Sequence, residues 1–178
     1  CEAAGAGILD VWDDAARARV RAGILATGLG FAPATADRVL PVLDRQAEAW
    51  REHRSRACRM ADLEGTLDAE RLDRAVWCLD ERRMALAALV TELSHADAMV
   101  ARKAVTAATG LPSASPCLDA QVLAALPSPP PPDARAKADA LRTTLWRART
   151  ALWTGKYPEG LKQTRAALAD VEARVCFK

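Results

Sequence analysis

Apolar residues recur at helical spacing along most of the chain, and the two longest periodic stretches are neighbours. Val39, Leu43, Ala47, Trp50, Ala57 and Ala61 form one stripe, with Arg45, Glu48, Glu52 and Arg56 on the opposite side. Leu72, Ala75, Val76, Leu79, Leu86, Leu89, Val90 and Leu93 form the second. Only Arg82 and Arg83 interrupt it, and their stems can lie over apolar neighbours while the heads reach water. Between the stripes stands Glu64-Gly65-Thr66-Leu67-Asp68, where glycine suits a helix stop and Asp68 an N-cap. Ala34–Leu93 is therefore expected to be a long antiparallel helical hairpin. Residues equidistant from such a turn face each other, and Cys58 and Cys78 are centred on residue 68. A Cys58–Cys78 disulfide is the expectation that follows.

Shorter patterns flank the hairpin. Residues 1–7 read as coil or a short helix. Asp13 is placed to cap a helix running to about Thr27, with Trp12 at its mouth and Val20 and Ile24 on one face. Two glycines and a proline in Thr27–Pro33 end that helix, so the hairpin is expected to start near Thr35, with Thr35 as cap. Pro41 would then fall in the first or second turn, where proline costs little. A helix over Asp97–Thr109 is closed by Gly110, and a short one over Asp119–Leu126 follows Cys117. Pro127-Ser128-Pro129-Pro130-Pro131-Pro132 is expected to be an extended, semi-rigid spacer. Asp133 is placed to cap a helix to about Thr154, and Tyr157–Val175 makes another. The expected organisation is all-α: a helical domain over 1–126, a linker over 127–132 and a helix pair over 133–178. A pair of that size does not bury its apolar face alone and reads as one unit of a stack.

Composition narrows the function classes. Hydrophobic residues make up 51% of the 178 positions, much of it alanine, which with abundant Leu, Arg and Glu favours helix. A net charge of +2 from 25 basic and 23 acidic residues gives no field that points to nucleic acid. No apolar run approaches the roughly 18 residues that span a bilayer, so attachment to a membrane would go only through a span outside this sequence. A chain opening on Cys1 rather than Met reads as a processed product or a segment of a longer one. The cysteines Cys1, Cys58, Cys78, Cys117 and Cys176 contain no C-x-x-C, so zinc-ribbon and thioredoxin-like readings lose their usual support. Structural disulfides are expected instead, and these need an oxidising compartment. With Cys58 and Cys78 joined, Cys1 and Cys117 pair by elimination and Cys176 is left over.

Candidate chemistry is sparse. His53 and His95 each lack a second histidine or cysteine at i+3 or i+4 and read as surface helix residues. Asp62, Glu64, Asp68, Glu70 and Asp73 crowd the hairpin turn and read as caps and solvated charge, although a cation or an acid–base pair is the sharper alternative. A glycine-rich loop with its strand lysine, H-R-D and D-F-G are all missing. No residue is assigned to catalysis, a cofactor or a metal. Of the five tryptophans most should be core; Trp77, Trp146 and Trp153 are the candidates for lining a groove between the second hairpin helix and the Trp146/Trp153 helix.

Two stretches resemble known families. Ala151–Leu161 resembles the middle of a tetratricopeptide repeat, where glycine ends the first helix, an aromatic opens the second and a small residue lets the two touch. Gly155, Tyr157, Gly160 and Ala167 fall at the matching positions, whereas Arg147 and Thr164 depart from the usual large apolar residues. The first 126 residues resemble the segment joining a membrane-anchored kinase domain to a tetratricopeptide tail in the serine/threonine protein kinases of myxobacteria and relatives. The resemblance is carried by Cys1, Gly7-Ile8-Leu9-Asp10-Val11-Trp12-Asp13, Ala26-Thr27-Gly28, Ala57-Cys58, Gly65, Asp73, Cys78-Leu79-Asp80 with Arg82 and Arg83, and Leu111-Pro112 before Cys117. Thr66-Leu67-Asp68 replaces that family's polar turn, and Ala75 stands where an arginine is common. The resemblance implies a periplasmic segment of a transmembrane receptor with a cytoplasmic kinase. The expected role is a non-catalytic module that binds protein or peptide through helical surfaces; the alternative is a small-molecule sensor with its pocket inside residues 1–126.

Overall fold

The computed structural model describes residues 1–175, which form eight α-helices and two short 3-10 turns without a strand. The chain is an all-α bundle. The central hairpin is α3 (Ala32–Asp62) and α4 (Ala69–Ser94). Before it come α1 (Glu2–Ala6), a 3-10 turn over Gly7–Asp10 and α2 (Asp14–Leu25). After it come α5 (Ala98–Thr109), a second 3-10 turn over Ser115–Leu118, α6 (Ala120–Ala125), α7 (Pro132–Trp153) and α8 (Tyr157–Val175). Among the described residues no helix is long and apolar enough to cross a membrane.

The hairpin turn forms as its residues dictate. Gly65 takes φ +63°, a conformation that costs glycine little, and lets the Thr66 N–H bond back to the Met60 carbonyl at 2.9 Å. Leu67 is buried beneath the turn, and the Asp68 carboxylate accepts the Arg71 N–H at 2.8 Å to cap α4. The other end of α3 differs from expectation. The helix starts at Ala32 because Pro33 sits in its first turn, where a missing N–H leaves no bond unmade. Thr35 is buried inside that turn rather than capping it, and Pro41 falls in the third turn on the exposed side.

The disulfides differ from the expected pairs: Cys1 joins Cys58 and Cys78 joins Cys117. The register of the hairpin explains why Cys58 and Cys78 do not meet. The buried Trp50 indole Nε1–H donates to the Leu79 carbonyl at 2.6 Å, which centres the hairpin on residue 64 or 65 rather than 68. Cys58 is therefore offset by about 10 Å, two helical turns, from the point opposite Cys78. The partner that does reach Cys58 comes from α1, which runs antiparallel to α3. A Cβ on Gly5 would lie 2.7 Å from the Arg51 carbonyl oxygen and collide with Ser55 Oγ, so only glycine permits this approach. Cys117 rides on the second 3-10 turn, which rests on both α3 and α4. Each bridge thus ties a flanking segment to a different helix of the hairpin. With partners 57 and 39 positions apart in sequence, loop-closure entropy gives about 4 kcal/mol for each. Cys176 lies outside the described residues.

α2 lies across the hairpin, with Val20 and Ile24 fully buried and Gly23 against the carbonyls of Leu93 and Ser94. Leu40, Leu43, Leu79, Leu89, Leu93 and Val100 fill the centre. α7 then runs parallel to α4, fixed at successive levels. Arg135 donates to Asp73 at 2.6 Å, Arg142 donates to the Trp77 carbonyl at 2.8 Å, and Lys156 pairs with Glu92 at 2.5 Å and Asp97 at 3.6 Å. Pro131 is the N-cap of α7 and Asp133 lies in its first turn, so Asp133 is not the expected cap; proline at the first position is pre-set for helix. The proline segment ends against α7, where Arg135 Nε donates to the Pro130 carbonyl at 3.0 Å.

Candidate functional site

The three tryptophans do not line an open groove. α4 and α7 pack directly, and the Arg142 guanidinium covers the Trp77 ring at 3.9 Å while pairing with Glu81 at 3.5 Å. Trp146 is buried and meets Trp153 edge to face at 6.0 Å, with Arg149 over both rings. Burial of Trp146, with guanidinium stacking on the half-buried Trp77 and Trp153, closes the space the sequence left open. The depression that does remain between the two helices is about 230 Å³ and is lined by Val11, Met84, Ala87 and Thr143 among others, with none of the tryptophans.

Of the four residues at repeat-like positions, Gly155, Tyr157 and Gly160 lie at or beside the α7–α8 turn and Ala167 lies along α8. Gly155 has φ +88° and lies against Met99 of α5, and the following Lys156 N–H bonds to the Ala151 carbonyl at 2.7 Å. Tyr157 opens α8 and is exposed. Gly160 is buried where a Cβ would stand 2.9 Å from the Ala148 carbonyl oxygen, and Ala167 is buried further along. The two helices therefore approach closely at Gly160, with Leu152 also lying against it, and part of each helix faces outward. Leu145 and Leu152 on α7, and Leu161 and Leu168 on α8, are 42% to 56% exposed, and each pair is seven residues apart on one side of its helix. Among the described side chains, the exposed charges beside them are mainly basic: Arg149, Lys162 and Arg165, against Glu159.

A second feature was not legible in the sequence. α1, the first 3-10 turn and the start of α2 form one wall of a cleft of about 690 Å³, and α3 forms the other. Ile8, Trp12 and Ala47 are its buried apolar floor, and Leu9 is exposed at 57% beside it. Around it stand five carboxylates (Glu2, Asp13, Asp14, Asp44, Glu48) and two guanidiniums (Arg17, Arg51), for a formal charge of −3. Trp12 Nε1–H donates to Asp44 at 2.9 Å, and Arg17 and Arg51 pair with Asp44 and Glu48 at 3.3 and 2.7 Å. The hydrogen bond from Arg51 holds the Glu48 carboxyl below its ordinary pKa. Sequence reading missed the cleft because residues 1–7 are too short to show a helical period.

The remaining polar candidates have structural partners. His53 and His95 hydrogen-bond through Nδ1 to the carbonyls of Ala49 and Thr91, each one turn back on its own helix. Asp68 caps α4, Glu70 pairs with Arg74 at 2.7 Å and Asp73 with Arg135. Glu64 is exposed. Asp62 lies 3.2 Å from Cys58 Sγ, but that sulfur and its neighbour on Cys1 are spent in the disulfide and offer no thiolate to a metal. Away from the cleft, Asp80, Asp97 and Lys156 are among the groups that titrate away from their usual range. Burial raises Asp80 against the pull of Arg83 and Arg54; the Val100 N–H, and beyond it Lys156, lower Asp97. Burial disfavours the Lys156 charge, yet Glu92 and Asp97 outweigh it and raise its pKa.

No protein family, curated protein or solved structure matches the chain. The two disulfides indicate an oxidising, extracytoplasmic environment.

Proposed function

We propose that the chain is a non-catalytic interaction module whose α7–α8 face docks an amphipathic helix of a partner protein with acidic residues along its rim. The observation that carries this is the pair of exposed leucine rows, Leu145/Leu152 on α7, which is anchored to α4 and α5, and Leu161/Leu168 on α8, which packs on α7. Helix-in-groove recognition uses apolar anchors at such spacings, and the basic residues beside these rows favour an acidic rim. The small-residue contact at Gly160 and the glycine turn at Gly155 support a tetratricopeptide-like unit, for which a further helix is the natural neighbour. The setting comes from the resemblance of residues 1–126 to the kinase family. There the module would stand in the periplasm and, through a span outside this sequence, inform a serine/threonine kinase across the membrane.

The test is a titration of the intact, oxidised protein with a helical peptide carrying leucines on one face and glutamates at its rim. Saturable binding that weakens at least tenfold in L161S/L168S, with an unchanged circular dichroism spectrum, is the expected result. Equal affinity of wild type and L161S/L168S would reject the assignment of this face.

A further inference from the structure

We infer that the cleft between α1 and α3 is a second docking site, distinct from the α7–α8 face, and that it takes a basic amphipathic peptide segment. At about 690 Å³ the cleft is within the size range of natural ligand sites. Its floor of Ile8, Trp12 and Ala47 supplies apolar contact, and Leu9, 57% exposed at its edge, has no apolar cover. The apolar floor makes it a docking place, and the charges around it select the occupant. Five carboxylates face two guanidiniums, and both guanidiniums are engaged with Asp44 and Glu48. Glu2 and Asp14 have no ion-pair partner among the described residues, so an incoming lysine or arginine finds acids free to receive it. An acidic or neutral segment would meet this rim without compensation.

The wall of the cleft is set by covalent structure. α1 has only five residues and would not hold a helix by itself. The Cys1–Cys58 bridge and the close seat of Gly5 on Arg51 and Ser55 fix it along α3, so the Glu2 carboxylate is presented by a wall anchored at both ends. A preorganised wall removes part of the ordering cost that a flexible segment would impose on binding.

Fluorescence anisotropy of a labelled, short Leu/Arg amphipathic peptide with the full oxidised chain tests the site, with the matching uncharged Leu/Gln peptide as comparison. The Leu/Arg peptide is expected to bind saturably, with affinity falling as salt rises, and the Leu/Gln peptide to bind far more weakly. E2Q/D14N removes two exposed charges and should weaken binding by about fivefold, and Leu9→Ser should weaken it without altering the salt dependence. L161S/L168S should leave it unchanged, which separates this site from the α7–α8 face. Equal binding of the two peptides, wild-type affinity in E2Q/D14N, or no saturable binding of the Leu/Arg peptide would overturn the assignment.

Discussion

Gly23→Ala probes how closely α2 rests on the hairpin. A Cβ at position 23 would stand 2.5 Å from the carbonyl oxygens of both Leu93 and Ser94. Carbon and oxygen normally approach no closer than about 3.3 Å, so α2 would have to retreat by nearly 1 Å or α4 would have to deform. The obstacle is backbone, not a flexible side chain. Overfilling of this kind costs about 1–3 kcal/mol, and replacing a helical glycine by alanine returns up to about 1 kcal/mol. The net expectation is a loss of about 1–2 kcal/mol, or roughly 2–8 °C in Tm for a chain of this size. Thermal unfolding followed by circular dichroism, with the disulfides intact, measures it. Gly30→Ala serves as the control, since nothing lies within 4 Å of its Cβ position, and its Tm should match wild type. A Gly23→Ala protein more stable than wild type, as a solvent-exposed helical glycine would give, would show that α2 does not sit on the α4 backbone.

Trp50→Phe removes the bond to the Leu79 carbonyl that sets the hairpin register, and urea unfolding should show a loss of about 1–3 kcal/mol; an unchanged midpoint would remove Trp50 as the determinant. Asp97→Ala should cost about 1 kcal/mol at neutral pH through the lost cap. Asp97 has a lowered folded pKa, so its contribution is complete above the unfolded value near 3.8 and disappears as the pH falls through the folded value; the gap to wild type should close in acid. Asp80→Asn should behave in the opposite sense. Burial raises the folded pKa of Asp80, so its charge opposes folding at neutral pH, and the variant should melt higher than wild type there, the advantage vanishing below pH 3.8.

The helices and most of their ends were legible because their signals are local. Asp13 and Asp68 cap where the sequence placed them, the helices expected from Asp97 and Asp119 begin there with those residues as caps, and Gly65 turns the hairpin as expected. The Cys58–Cys78 expectation failed because symmetry about a turn does not give the register, which a single long-range contact from Trp50 determines. The start of α3 was misplaced because Pro33 reads equally as a breaker or as a first-turn residue, and only the surrounding burial decides between them. The Trp77/Trp146/Trp153 groove failed for a related reason. Tryptophans at helical spacing signal a large apolar face, and the face is covered by Arg142 and by α4 itself. The parallel course of α7 along α4 depends on pairs more than 60 residues apart, beyond any periodicity. The cleft depends on a five-residue helix whose position is fixed by Cys1 and Gly5 rather than by its own propensity.

The pairing of the four cysteines underlies the compartment, the rigid frame and the wall of the α1–α3 cleft together. Proteolysis of the unreduced protein followed by mass spectrometry of the linked peptides measures that pairing directly. Peptides linking Cys1 to Cys58 and Cys78 to Cys117 are the expected result. A peptide joining Cys58 to Cys78, or free thiols at these positions in protein from an oxidising compartment, would contradict it.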